Sequence, residues 1–368
     1  MDDQYYMKFA IDLAKRATGQ TSPNPVVGSV VVKNGEIVGF GAHLKAGESH
    51  AEVNAIKMAG SDKTKGSTVY VTLEPCSHYG KTPPCSDLLI QSEVNKVVIA
   101  SVDPNPLVAG KGIEKLRKAG IEVELGICQE EALALNQVFF HYLKTNQPYV
   151  TLKTAASLDG KTATHAYESK WITGAEARLD VHQYRHQHDA ILVGVGTVLA
   201  DNPSLTTRLP NGGKNPIRII LDTQLRTPLH AKVVTDGEAP TWIITGTNRD
   251  LEKVAALENK HGVRVLSLPS LKVDIPLLLS LLGKEGVTSL FVEGGATVNG
   301  SFLKEKAINQ VITYIAPKLI GGIDAPTLIG GEGFATMAET VNLEIKEFTQ
   351  LGKDLKIVSI PILNGKEE

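Results

Sequence analysis

The chain has 368 residues, a formal net charge of −2, and 42% apolar against 21% charged residues. That length exceeds what one hydrophobic core usually serves, and the composition excludes a disordered chain. The balanced charge disfavours the broad basic surface that polymeric nucleic acid requires.

The opening MDDQYYMKFAIDLAKRA begins acidic and has no basic segment ahead of an apolar run, so no secretory signal is expected. No uninterrupted apolar stretch of about 18 residues predicts a membrane span, and the expected compartment is the cytoplasm. An amphipathic helix over 4–18 leads into VVGSVVV (26–32), an Asn34-Gly35 turn, and a second strand to about Gly41. A helix is predicted from His50 to Ala59 and strands at 67–73 and 96–100. GIEKLRKAG reads as a helix closed by Gly120, IEVEL as a strand, and 129–144 as one last helix. Strands alternating with helices predict α/β layers.

The helical pattern stops at TNQPY, which marks a boundary between domains over 1–145 and 146–368. Beyond it come strands YVTLKTA, AILVG, IRIILD, TWIITG, VRVLSL, SLFVEGG and VITYIAP. Helices are predicted at 174–188, 274–284 and 296–306, with a closing hairpin about Gly352. The PNP triplets at 23–25 and 104–106 read as turns.

Three cysteines cannot all pair with one another, so metal binding or thiol reactivity is the question they raise. His50, Cys76 and Cys85 offer an imidazole and two thiolates, a set Zn²⁺ prefers, and three protein ligands leave one tetrahedral position for water. Glu52 stands two residues from His50, where a carboxylate outside the ligand shell can carry the proton that water loses. Both can serve one site only if His50 lies in the first turn of its helix. Pro75 suits the first turn of a second helix, so Cys76 is expected at a helix start packed beside the first. Cys128 reads as a small, buried, apolar residue.

His-Ala-Glu opening a helix, then a strand, then Pro-Cys is the H-x-E…P-C signature of zinc nucleobase deaminases. Residues 1–145 resemble the cytidine-deaminase superfamily, and EPCSHYGKTPPC, with eight residues between its cysteines, resembles the riboflavin-biosynthesis branch. The second half resembles that branch's reductase domain, so the resemblance covers the whole chain. It implies an N-terminal cytidine-deaminase-like α/β/α domain followed by a dihydrofolate-reductase-like α/β domain. The implied activities are hydrolytic deamination of 2,5-diamino-6-(ribosylamino)-4(3H)-pyrimidinone 5′-phosphate and NADPH-dependent reduction of its ribosyl group to ribityl. The partner is then a small pyrimidine ribotide, with neither nucleic acid nor membrane, and the chain forms a homo-oligomer. Substrate contacts implied in the first domain are Asn24, His43, His78 and Lys81.

In the second half, SLFVEGGATVNGSFL is an apolar run, two glycines and a helix pattern. Such a loop fits a tight turn as well as a phosphate cradle. A second glycine-bearing loop, GVGTVLADNPSLTTR, follows AILV, which puts a ligand across the carboxyl ends of two strands. The resemblance implies NADPH contacts from Ala155, Trp171, Thr197, Asp201, Thr223 and the run Gly295, Ala296, Thr297, Val298, Asn299, Gly300 and Ser301. It implies substrate contacts from Lys153, Ser169, Arg185, Leu205, Arg208 and Glu293. The two arginines suit a sugar phosphate, because a guanidinium fork matches phosphate oxygens. Lys153 is the expected cation nearest the hydride acceptor.

Overall fold

The computed structural model describes residues 2–79, 83–104 and 109–362, in two compact units, Met1–Asn146 and Gln147–Glu368. In the first, Asp2 accepts the Tyr5 amide at 2.9 Å and so caps α1 (Asp3–Lys15), which buries Tyr6, Met7, Ala10, Ile11 and Ala14. β1 (Gly28–Lys33) and β2 (Glu36–Ala42) are joined by Asn34 and Gly35, both at positive φ. Then come α2 (Ala51–Ala59), α3 (Ser61–Thr64), β3 (Thr68–Leu73), α4 (Cys85–Gln91), β4 (Lys96–Ser101), α5 (Lys111–Lys118), β5 (Glu122–Leu125), α6 (Gln129–Leu135) and α7 (Gln137–Thr145). The sheet order is β2-β1-β3-β4-β5, antiparallel about β1 and parallel from β3 to β5. Successive residues face opposite sides of a strand. Val31, Val69 and Val97 therefore meet Ala55, Leu89 and Leu116 on one face, while Val30, Tyr70 and Val98 meet Met7, Ile11 and Ala132 on the other.

Two local expectations are corrected. The helix expected over 129–144 is broken at Asn136, whose buried side chain accepts the Val26 amide at 2.9 Å and donates to the Val26 carbonyl at 3.0 Å. That long-range pairing satisfies both groups of a loop residue at the cost of helix continuity. Cys76 is not in a helix: the second helix start belongs to Cys85, with Pro84 as N-cap.

The second unit contains β6 (Tyr149–Ser157), α8 (Ala175–Gln187), β7 (Ala190–Gly194), α9 (Val195–Asp201), β8 (Ile217–Leu221), α10 (Lys232–Thr235), β9 (Thr241–Thr245), α11 (Leu251–Glu258) and β10 (Val263–Ser267). It continues through α12 (Ile275–Lys284), β11 (Ser289–Val292), α13 (Ala296–Lys304), β12 (Gln310–Ala316), β13 (Leu343–Leu351) and β14 (Asp354–Pro361). The nine strands run β10-β9-β8-β7-β11-β6-β12-β14-β13, parallel from β10 to β12, with β14 antiparallel to both its neighbours. The chain steps outward from β7 to β10 and then returns to insert β11 between β7 and β6. This reversal is where an open parallel sheet leaves a crevice at its carboxyl edge. Among the described residues no helix is long and apolar enough to cross a membrane.

Candidate active sites

Helix α2 lies directly on β2 because that strand offers glycines: a Cβ on Gly41 would sit 2.6 Å from Asn54 Cβ and 2.7 Å from the Ala51 carbonyl oxygen. The close approach fixes the helix start, where His50 is the N-cap in extended conformation and Glu52 lies in the first turn. His50 Nδ1 lies 3.3 Å from Cys85 Sγ and 3.6 Å from Cys76 Sγ, and the ligand atoms of all three residues fall within 4.8 Å of one another. Neighbouring ligands on a tetrahedral zinc are roughly 3.5 Å apart, given Zn–N and Zn–S bonds of about 2.1 and 2.3 Å. The donor set and its spacing therefore fit zinc. The Cys85 amide donates to Cys76 Sγ at 3.3 Å, and this bond orders the segment that brings Cys76 to the cluster without a helix. Cys85 and His50 draw Cys76 toward the thiolate, whereas its bond to Cys76 and its burial push Cys85 up. Cys128 lies outside the cluster, partly buried against the sheet face that packs on α1.

Glu52 is 3% exposed, and burial together with the charge on Cys76 pushes it up to about 7. It borders a cavity of about 240 Å³ that is also lined by Asn24, His43, His50, Cys76 and His78. His43 Nδ1 lies 3.2 Å from the Ser49 carbonyl and its Nε2 3.1 Å from Asn24 Nδ2. The carbonyl requires a proton on Nδ1, so Nε2 accepts from the Asn24 amide and the imidazole is neutral. Burial lowers its pKa, and His50 adds to that effect. Lys81 lies outside the described residues.

In the second unit Glu293, just beyond β11, gathers two cations. Arg185 on α8 binds it twice, Nε to Oε1 at 2.6 Å and Nη2 to Oε2 at 3.1 Å, and Lys153 Nζ on β6 stands 3.7 Å from Oε2. Burial pushes Glu293 up, but the charges of Arg185 and Lys153 prevail and hold it at about 2. Arg185 Nη1 also donates to the Thr206 carbonyl at 3.0 Å, so two of its five N–H groups remain for a ligand. Arg208 is exposed and pairs with no carboxylate among the described residues. Leu205 is buried in the core at positive φ, leaving only its backbone to face a ligand. Ser169 and Trp171 are exposed; Arg178 lies over the Trp171 ring, 4.6 Å from its centre, and Lys170 between them reaches Asp201 at 4.0 Å. Ala155 lies on β6 in register with Tyr314 of β12, Thr197 is on α9 and Thr223 follows β8.

Helix α13 starts at Gly295 without a side-chain cap, and a Cβ there would meet nothing within 4 Å. The amides of Ala296, Thr297 and Val298 have no intrahelical acceptor and are free for an anion. Those further on are not: the Asn299 amide is bonded to Gly295, the buried Asn299 side chain donates to the Leu328 carbonyl at 2.8 Å, and Ser301 Oγ donates to the Thr297 carbonyl. Gly300 packs on the backbone at Gly330. An uncapped helix start opened by a glycine at the sheet's switch point fits the pyrophosphate of a dinucleotide.

Residues 148–357 match the RibD C-terminal domain, and residues 1–101 match the cytidine and deoxycytidylate deaminase zinc-binding region. The riboflavin biosynthesis protein RibD of Bacillus amyloliquefaciens is 55% identical over 365 residues, 99% of this chain and 98% of that one. The chain belongs to the RibD family. The RibD structure from Acinetobacter baumannii superposes with a TM-score of 0.87 at 43% identity, covering 98% of this chain and 99% of that one. A diaminohydroxyphosphoribosylaminopyrimidine deaminase/5-amino-6-(5-phosphoribosylamino)uracil reductase from Thermotoga maritima gives 0.84 at 36% identity, covering 98% of each chain.

As a RibD-family chain it is a bifunctional enzyme of riboflavin biosynthesis, a zinc-dependent deaminase followed by an NADPH-dependent reductase, with the deaminase-like and dihydrofolate-reductase-like folds expected above. Sequence reasoning passed over four side chains that the RibD-family fold brings to these sites. Asp103 and Phe139 line the first cavity, and Glu74 anchors its wall by accepting the Gly110 and Gly112 amides at 3.0 and 2.9 Å. His182 lies within electrostatic reach of Arg185, Arg208 and Glu293, with a buried Nδ1 that has no hydrogen-bond partner among the described residues. Its spacing three residues before Arg185 on α8 was the available signal.

Proposed function

We propose that the first unit hydrolyses an amino group from 2,5-diamino-6-(ribosylamino)-4(3H)-pyrimidinone 5′-phosphate, and that the second reduces the ribosyl group to ribityl, giving 5-amino-6-(5-phosphoribitylamino)uracil. The observation that carries the reading is the three-ligand cluster of His50, Cys76 and Cys85 with buried Glu52 beside it. Zinc held by these three ligands lowers the pKa of a water toward neutrality. Glu52, poised at about 7, takes a proton at its carboxylate and returns one to the departing amino nitrogen. Neutral His43, held by Asn24 and Ser49, orients the pyrimidine together with His78 and Lys81.

In the second unit NADPH supplies the hydride. Lys153 holds a proton at Nζ beside Glu293 and polarises the open-chain C1′ acceptor, while the two free N–H groups of Arg185, with Arg208, receive the sugar phosphate. Ser169 and the Leu205 backbone complete the substrate contacts. Ala155, Trp171, Thr197, Asp201, Thr223 and the run from Gly295 to Ser301 carry the cofactor, the phosphates meeting the first turn of α13 and the rest of that run supporting it.

Supplying the ribotide and NADPH to purified, zinc-loaded protein should release ammonia first and consume NADPH second. Glu52→Gln should keep full zinc content, and the reductase step when the deaminated intermediate is supplied, while deamination falls by about 10²–10⁴-fold; loss of zinc instead would sink the assignment. A homo-oligomer is the proposed assembly, supported by the edge strand β13, where Ile345 and Phe348 are each 63% exposed. Sedimentation returning a monomer at micromolar concentration would refute it. A cytoplasmic location is proposed as well, supported by three free cysteines.

A further inference from the structure

The loops leaving β8, β9 and β10 are laced together around a guanidinium that the reading above leaves without a task. Thr223 after β8 accepts at its carbonyl from Thr245 Oγ1 at 3.1 Å and at its hydroxyl from the Val273 amide at 3.5 Å. The Thr247 amide donates to the Ser270 carbonyl at 2.9 Å. Gly246 allows this packing, since a Cβ there would lie 2.7 Å from the Leu271 carbonyl oxygen and 2.9 Å from that of Ser270. Out of this corner comes Arg249, partly buried, its Nη1 donating to Ser267 Oγ at 2.6 Å. Ser267 Oγ in turn donates to the Gly246 carbonyl at 3.0 Å, so its lone pairs are directed to the arginine.

No carboxylate pairs with Arg249 among the described residues. Asp250 is turned to the α11 amides of Glu252 and Lys253, and Asp222 is buried and bonded by Thr227. Four of the five donors of the guanidinium are uncommitted, with its orientation already set.

We infer that Arg249, held by Ser267, binds the 2′-phosphate of NADPH and is the residue by which this chain distinguishes NADPH from NADH. The inference rests on the cofactor lying across the strand ends as described. From the first turn of α13, beyond β11, the proposed contacts run outward to Thr197 beyond β7 and Thr223 beyond β8. The next strand end in the sheet order belongs to β9, and the loop that follows it carries Arg249. In dinucleotide sites an arginine in this outer position accommodates the dianion that distinguishes the two cofactors.

The test is equilibrium binding of NADPH, NADH and 2′,5′-ADP to the full-length zinc-loaded chain, followed by nucleotide fluorescence and competition. Arg249→Ala should weaken NADPH and 2′,5′-ADP by about 10–100-fold while NADH changes by less than about twofold. Arg249→Lys should recover part of the loss, since it keeps the charge without the fork. Ser267→Ala should give a smaller loss of the same sign. Exposed Arg226, in the loop after β8, is the competing cation, and Arg226→Ala should leave the NADPH to NADH ratio unchanged. Equal weakening of both cofactors, no weakening, or a preference that follows Arg226 would each overturn the assignment. A wild-type chain that binds neither cofactor would instead remove the cofactor reading on which it rests.

Discussion

Glu52 and Glu293 are both buried carboxylates, yet one titrates near neutrality and the other stays ionised to about 2. Two cations within 4 Å make the difference: Glu293 has Arg185 and Lys153, whereas Glu52 faces a thiolate. The same physics makes His188 a pH-dependent element of stability. Its Nδ1 donates to the Tyr184 carbonyl at 2.7 Å, which leaves Nε2 to accept from Thr151 Oγ1 at 3.0 Å. Burial lowers its pKa to about 4. A histidine depressed in the folded state stabilises fully above its unfolded value near 6.5 and loses that contribution as pH falls toward 4. Between pH 7 and pH 5 this amounts to about 2 kcal/mol. Urea midpoints for the wild type and His188→Gln at both pH values should show the variant less stable at pH 7 but less sensitive to acid; parallel curves would refute the assignment.

At the scale of elements, the first site depends on how closely α2 lies on β2. Gly41→Ala should push the first turn of α2 off the strand, costing about 1–3 kcal/mol in stability and misplacing His50 and Glu52. Lower zinc occupancy and deamination is the expected outcome, with NADPH consumption intact when the deaminated intermediate is supplied, read by metal analysis and two separate assays. Much of this scaffold was legible in advance: the apolar runs found the strands, Asn34-Gly35 the hairpin, and the H-x-E and P-C pattern the residues that cluster. What local pattern could not carry was set from a distance. Asn136 breaks a helix because Val26 offers it two backbone groups across 110 positions, and Arg185, solvated by its own helix pattern, pairs with Glu293 across 108. The start of α4 at Cys85 follows two prolines with no helix pattern ahead of them, whereas α11, absent from the expected helices, was signalled by Asp250 and the periodic LEKVAALE.

At the scale of the molecule, two units with separate cores should respond separately to their ligands. In scanning calorimetry, removal of zinc by a chelator should lower one transition and abolish deamination, while NADPH at 100 times its Kd should raise the other by about 2.7 kcal/mol. A single transition moved by both ligands would refute this independence. The place of β11 in the larger sheet bears on how the protein is made. β6 and β7 both pair with β11, and neither pairs with the other. As the nascent chain leaves the ribosome, the inner edges of β6 and β7 have no mate until residue 292 has emerged, and Val150, Leu152, Ala190 and Leu192 beside them lack the core neighbours that β11 brings. Translation that stalls before that point should yield chains that clump, whereas a stall soon after α13 should yield chains able to close the gap.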